Sequence, residues 1–228
     1  MFFFRQLQES ESKTFTYIVA CEKTKKAVII DPVKEEMVKY SDIIERYGLE
    51  LELCLDTHCH ADHISANGDL RRKFNCKVAM SNDAGVENAD IYLNDEQIIE
   101  IGSLKFKCIT TPGHTNGDMC FLLEDRLFSG DSLMIGLCGR TDFQQGSAEN
   151  LWNNIKTKIF TLPDETLVYP GHDYKNQFVS SIIQEKLTNT RLKQDNTLEQ
   201  FINIMNNLNL SYPKKIDVAL PVNLKCDS

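Results

Sequence analysis

The chain has 228 residues, 42% of them apolar, which suits one substantial domain with a sizeable core. A formal net charge of -8 and a pI near 5.2 argue against a nucleic-acid-binding surface, and no apolar run approaches the roughly 20 residues that span a bilayer. The eight cysteines include no C-x-x-C pair, so neither a zinc ribbon nor a thioredoxin-type motif is indicated, and buried thiols in a reducing compartment are expected.

The N-terminal Met1-Phe2-Phe3-Phe4-Arg5-Gln6-Leu7 reads as an edge strand. It is too short for a signal peptide and lacks a leading basic region and a small-residue cleavage site. Glu9 and Glu11 argue against a transit peptide, so the expected location is cytoplasmic, or the mitochondrial matrix if a presequence was removed. Thr14 to Ala20 alternates and is β-rich; Lys26 to Ile30 is a second strand stopped by Asp31-Pro32. Lys34 to Tyr47 is helical, with Gly48 suited to the position just past its end. Leu51 to Asp56 reads as a buried strand, and Ile64 to Phe74 as a helix weakened by Gly68.

Cys76 to Met80 is a short strand, and Ser81 to Asn94 is polar and loop-like. Glu96 to Glu100 and Leu104 to Thr110 read as strands joined around Gly102-Ser103. Met119 to Leu123 is an apolar strand with which Arg126-Leu127-Phe128 would pair. Glu149 to Phe160 is an amphipathic helix, Thr166 to Tyr169 a strand, and two more helices lie near Val179 to Leu187 and Leu198 to Asn207. The tail from Ile216 to Pro221 is expected to be extended. No repeat, low-complexity tract or linker divides the chain. A single domain over 1–228 is expected, of α/β class with two sheets between helical layers, the part from about 175 to 228 packed on it.

The chemistry lies in the histidines. There are five, and three of them fall in Thr57-His58-Cys59-His60-Ala61-Asp62-His63, between the 51–56 strand and the following helix. In an extended segment His58 and His60 point the same way. The other two follow Pro-Gly turns, in Thr111-Pro112-Gly113-His114-Thr115 and Tyr169-Pro170-Gly171-His172-Asp173. With Asp62 and Asp131 they give seven candidate ligands on strand ends or turns. Singly, each has a plainer reading: a turn histidine, a turn cap at Asp131, a helix cap at Asp62. All five histidines reaching turns independently is improbable, and imidazole with carboxylate suits iron or zinc, so a metal site is expected.

The run at 57–63, followed in order by His114, Asp131 and His172, resembles the metallo-β-lactamase superfamily. That resemblance implies a four-layer αββα sandwich with the metal at the edge of the sheets. Within the superfamily, Phe128 to Gly146, Lys158-Ile159-Phe160-Thr161-Leu162-Pro163, Tyr169 to Tyr174 and Leu220 to Cys226 resemble the persulfide dioxygenase group. The Gly139-to-Gly146 stretch separates that group from its neighbours. Two places depart from its pattern: Asn116 where Pro is common, and Gly136-Leu137 in place of a more basic pair.

The resemblance implies an enzyme holding one Fe(II) per chain through His58, His114 and Asp131, a facial triad with open positions. The implied reaction takes glutathione persulfide, O2 and water to sulfite and glutathione. His60, Asp62, His63 and His172 would orient the ligands and waters, Arg140 would bind a glutathione carboxylate, and Tyr174 would be a further hydrogen-bond donor. Neither nucleic acid nor membrane is an expected partner, and a homodimer is compatible with the reading. The alternative is a glyoxalase II-like thioester hydrolase in which Asp62, His63 and His172 complete a second metal site. The 139–146 stretch favours the dioxygenase, and the short C-terminal part leaves little room for a larger helical substrate-binding region.

Overall fold

A computed structural model describes residues 1–226. Two six-stranded sheets face one another. The first runs in the order β1 (Phe2–Gln8), β2 (Phe15–Cys21), β3 (Lys26–Ile30), β4 (Glu50–Leu55), β5 (Lys77–Ser81) and β6 (Ile91–Leu93). Its first three strands are antiparallel, and β3 to β6 are parallel. The second has β7 (Ile98–Ile101), β8 (Leu104–Thr110), β9 (Met119–Leu123) and β10 (Arg126–Gly130) antiparallel in sequence. It is extended by β11 (Leu167–Pro170), parallel to β10, and by β12 (Ser180–Ser181) at the edge.

Alternation along the strands builds the layers. Phe15, Tyr17 and Val19 of β2, Val28 and Ile30 of β3, and Leu53 and Leu55 of β4 point between the sheets. There they meet Phe106, Phe121 and Phe128 of the second sheet. The intervening Ile18, Ala20, Ala27, Ile29 and Cys54 face outward, where α1 (Met37–Arg46), α2 (Asn67–Phe74) and α6 (Ile216–Asn223) cover them. On the other outer face Ile109, Cys120, Leu127 and Val168 pack against α3 (Ala148–Asn154), α4 (Ile182–Thr188) and α5 (Leu198–Asn206). Both faces of each sheet are therefore covered, which is why the strands read as continuous apolar runs. The result is the αββα sandwich. All eight cysteines are buried.

Several elements differ from the sequence expectation. The polar stretch at 81–94 holds β6, because Ala79 pairs with Ile91 and Ser81 with Leu93 on the edge of the first sheet. Helix α2 starts at Asn67 rather than Ile64, since Ser65 is held in an antiparallel bridge to Val33. The amphipathic segment after Ser147 is α-helical only to Asn154 and continues as a π-turn over Ile155–Ile159. The tail is not extended: Ile216 to Asn223 is helical despite Pro221, with Ile216, Ala219 and Asn223 buried at helical spacing along one face. That buried face outweighs the hydrogen bond that Pro221 cannot donate.

Candidate metal centre

The candidate ligands follow the C-terminal ends of β4, β8, β10 and β11. These ends are tied across the gap between the sheets: Met119 N donates to Thr57 O at 2.8 Å and Phe15 N to Gly171 O at 2.7 Å. Close approach is possible because Gly130, in the left-handed region at φ +51°, has no Cβ; one would lie 2.5 Å from Thr57 Oγ1. His58, His114 and Asp131 each place a ligand atom within 4.8 Å of the others.

Hydrogen bonds fix how the two imidazoles face that point. Asp31 Oδ1 accepts from Thr57 N at 2.7 Å and Oδ2 from Thr57 Oγ1 at 2.9 Å. The threonine hydroxyl, its proton thus placed, accepts from His58 Nδ1 at 3.0 Å. His114 Nδ1 lies 2.6 Å from Arg140 O, a carbonyl that only accepts. Both rings therefore carry their proton on Nδ1 and leave the Nε2 lone pair for an ion. Asp118 sets the second loop, its carboxylate accepting from His114 N, Thr115 N and Thr115 Oγ1 at 2.7, 2.8 and 2.6 Å. Burial, and the nearby His60 and His114, hold the His58 pKa well below its usual value, so the ring is neutral as a ligand must be. Burial opposes ionisation of Asp131, yet His172, His114 and His58 together hold its carboxyl below the usual carboxylate range. Two imidazoles and one carboxylate, with their outer atoms already bonded, can hold a metal ion.

The remaining predicted residues form an adjoining group. His172 donates from Nδ1 to Asp131 Oδ1 at 2.6 Å and from Nε2 to Asp62 Oδ2 at 3.0 Å. Burial disfavours its charge, but these two carboxylates raise its pKa well above the usual value. Thr14 Oγ1 stands within 3.2 Å of Asp62 Oδ2, His63 Nδ1 and His172 Nε2. His60 Nε2 lies 3.2 Å from Asp31 Oδ1. Burial works against its charge, and Asp31 raises its pKa to about 9. His60, Asp62 and His63 also place ligand atoms within 4.8 Å of one another, and His60 Nδ1 and His63 Nε2 are buried with no hydrogen-bond partner among the described residues.

All seven candidate ligands thus come together, in two groups. The triad group opens on a cavity of about 420 Å³ lined by Met134, Leu137 and Phe143 and by the cations Arg140, Arg191 and Lys214. The Arg140 fork is already engaged: Nε and Nη2 meet Asp142 at 2.6 and 2.7 Å, and Nη1 donates to Ser211 O at 2.8 Å. Tyr174 is 65% exposed at the cavity rim, its ring stacked 7° from the plane of His172. The sequence reading missed Thr14, Asp31, Asp118, Arg191 and Lys214. Asp31 had a signal, an acid closing an apolar strand directly before proline; Arg191 and Lys214 had none.

Residues 11–172 match the family model described as Metallo-beta-lactamase superfamily. The chain is 42% identical over 225 residues to Persulfide dioxygenase ETHE1, mitochondrial, of Homo sapiens, covering 97% of this chain and 87% of that protein. It is 32% identical over 188 residues to Hydroxyacylglutathione hydrolase of Dictyostelium discoideum, covering 78% and 69%. The crystal structure of ETHE1 from Myxococcus xanthus superposes with a TM-score of 0.97 at 45% identity, covering 99% of this chain and all of that one.

Proposed function

The chain belongs to the metallo-beta-lactamase superfamily, and from that premise we propose that it is a persulfide dioxygenase, oxidising glutathione persulfide with O2 and water to sulfite and glutathione. The observation that carries this reading is similarity over nearly the whole chain to persulfide dioxygenases, against shorter and weaker similarity to a thioester hydrolase. His58, His114 and Asp131 would hold one Fe(II), which would supply the redox chemistry that joins oxygen to the persulfide sulfur.

The chain's own groups do the rest. Thr57 and the Arg140 carbonyl fix the two imidazole rings through Nδ1. His172 donates to one oxygen of Asp131 and so leaves Oδ2, which faces His114 Nε2 at 3.7 Å, for the ion. Glutathione is a flexible anion, and Arg191 and Lys214 supply positive charge on the cavity wall beside Arg140. Arg140, bound to Asp142, acts largely by shaping that wall and by lending its carbonyl to His114. Apolar Met134, Leu137 and Phe143 limit water around the sulfur.

The buried, unpartnered His60 Nδ1 and His63 Nε2 favour a second reading, a dinuclear thioester hydrolase. Against it stands His172, both of whose ring nitrogens are spent on carboxylates. Adding glutathione persulfide to the iron-loaded protein should consume O2 and release sulfite. Hydrolysis of a glutathione thioester, with no O2 uptake on persulfide, would replace this reading with the hydrolase.

A further inference from the structure

The turn from His58 to Ser65 has no regular secondary structure, and its buried carbonyls need donors from elsewhere. Two side-chain amides supply three of them. Gln144 Nε2 donates to Cys59 O at 2.7 Å. Asn223 Nδ2 donates to His60 O at 2.9 Å and His63 O at 2.8 Å, while its Oδ1 accepts from Ser65 N at 2.9 Å. Asn223 is 7% exposed, and both its N–H groups and its oxygen bond to this one turn. Neither residue comes from a neighbouring stretch of chain: Asn223 closes α6, and Gln144 lies in the 139–146 stretch.

Gln144 joins the turn to the other ligand loops. Its carbonyl accepts from Asn116 N at 3.2 Å, two residues past His114. The same stretch bonds Asp131 O through Gly139 N at 2.6 Å and His114 Nδ1 through Arg140 O. Gln144 and Gln145 both sit at positive φ, +48° and +55°, a left-handed conformation that side-chain-bearing residues rarely adopt. Two such residues in succession turn the Gln144 amide onto the metal turn.

We propose that Gln144 and Asn223 are a pair of positioning residues, an amide clamp that holds the His58–Ser65 backbone in the geometry that binds iron. This rests on the reading of His58, His114 and Asp131 as ligands and assigns a task to the 139–146 stretch and to the C-terminal helix. The clamp's hydrogen bonds go to the turn, although Gln144 also lines the cavity. The clamp acts through the carbonyls of Cys59, His60 and His63, so it requires donors. Gln144→Glu and Asn223→Asp keep the shape and replace each donor by an oxygen that repels the carbonyl.

The test measures metal, not turnover. Each purified variant is loaded with Fe(II), and loss of iron to a chelator is timed; the cobalt(II)-loaded forms give visible spectra that report coordination geometry. Thermal melting of the metal-free forms separates retention from folding. The expected result is iron loss roughly tenfold faster in each variant, with altered cobalt bands and a metal-free melting temperature near wild type for Gln144→Glu. Unchanged iron loss and unchanged cobalt bands in folded Gln144→Glu would overturn the clamp, whatever becomes of Asn223→Asp. Because no persulfide is used, failure here leaves the dioxygenase reading standing, and failure of that reading leaves the clamp measurable.

Discussion

The two groups of imidazoles are neighbours, with the His58 ring centroid 4.9 Å from His114 and 4.1 Å from His60. They differ in what their outer nitrogens meet. In the triad group the partners are a hydroxyl and a carbonyl, which take one proton each and leave a lone pair. In the adjoining group carboxylates favour protonated rings at His60, through Asp31, and at His172, through Asp131 with Asp62, whereas burial keeps the pKa of His63 below its usual value. Under the proposed function, similar residues serve as ligands or as supports according to the acceptor behind them.

The largest expected effect falls on the triad. Asp131→Ala should abolish iron retention, and an iron-replete variant would remove Asp131 from the ligand set. Removing a support should cost less. His63→Ala is expected to keep its iron while activity falls by about 10- to 100-fold; loss of the metal would merge the two groups into one. Thr57→Val tests the hydroxyl partner itself. It frees His58 Nδ1 and should weaken iron binding by roughly tenfold, measured by chelator competition.

The smallest effect lies in the loop that delivers Thr14 to the supporting group. Glu9 accepts from Glu11 N, Ser12 N and Ser12 Oγ, and Ser12 Oγ in turn meets Thr14 Oγ1 at 2.8 Å. Burial opposes its ionisation, but these donors lower its pKa from 4.5 to about 2. The folded carboxylate binds a proton more weakly than the unfolded one. Its contribution is therefore complete above pH 4.5 and is lost as the pH falls toward 2. Glu9→Gln should cost about 1 kcal/mol at pH 7 by urea unfolding, with the gap to wild type narrowing at pH 3 and iron content unchanged.

How much of this the sequence carries depends on range. Strands such as β9 and β11 announce themselves by their own apolar runs, and His58, His114 and His172 by the turns that hold them. Strand β6 was hidden because its three residues are fixed by pairing with β5 rather than by their own pattern. Helix α6 was hidden by Pro221, a local signal that lost to burial of Ile216 and Ala219. Asn223 reaches the metal turn across about 160 residues of chain, a contact that the resemblance over Leu220 to Cys226 does not reveal. Asp31 read as a strand stop, yet it anchors both His58, through Thr57, and His60. A ligand type and its turn are local properties, whereas its tautomer is set by a partner that only the fold brings near.

Metal content tests the central claim most directly: one group binds, the other supports. The chain purified without oxygen and loaded with Fe(II) should carry about one iron per polypeptide, and Asp62→Asn should carry the same. Two metal ions per wild-type chain, falling to one in Asp62→Asn, would contradict it and make the supporting group a second metal site.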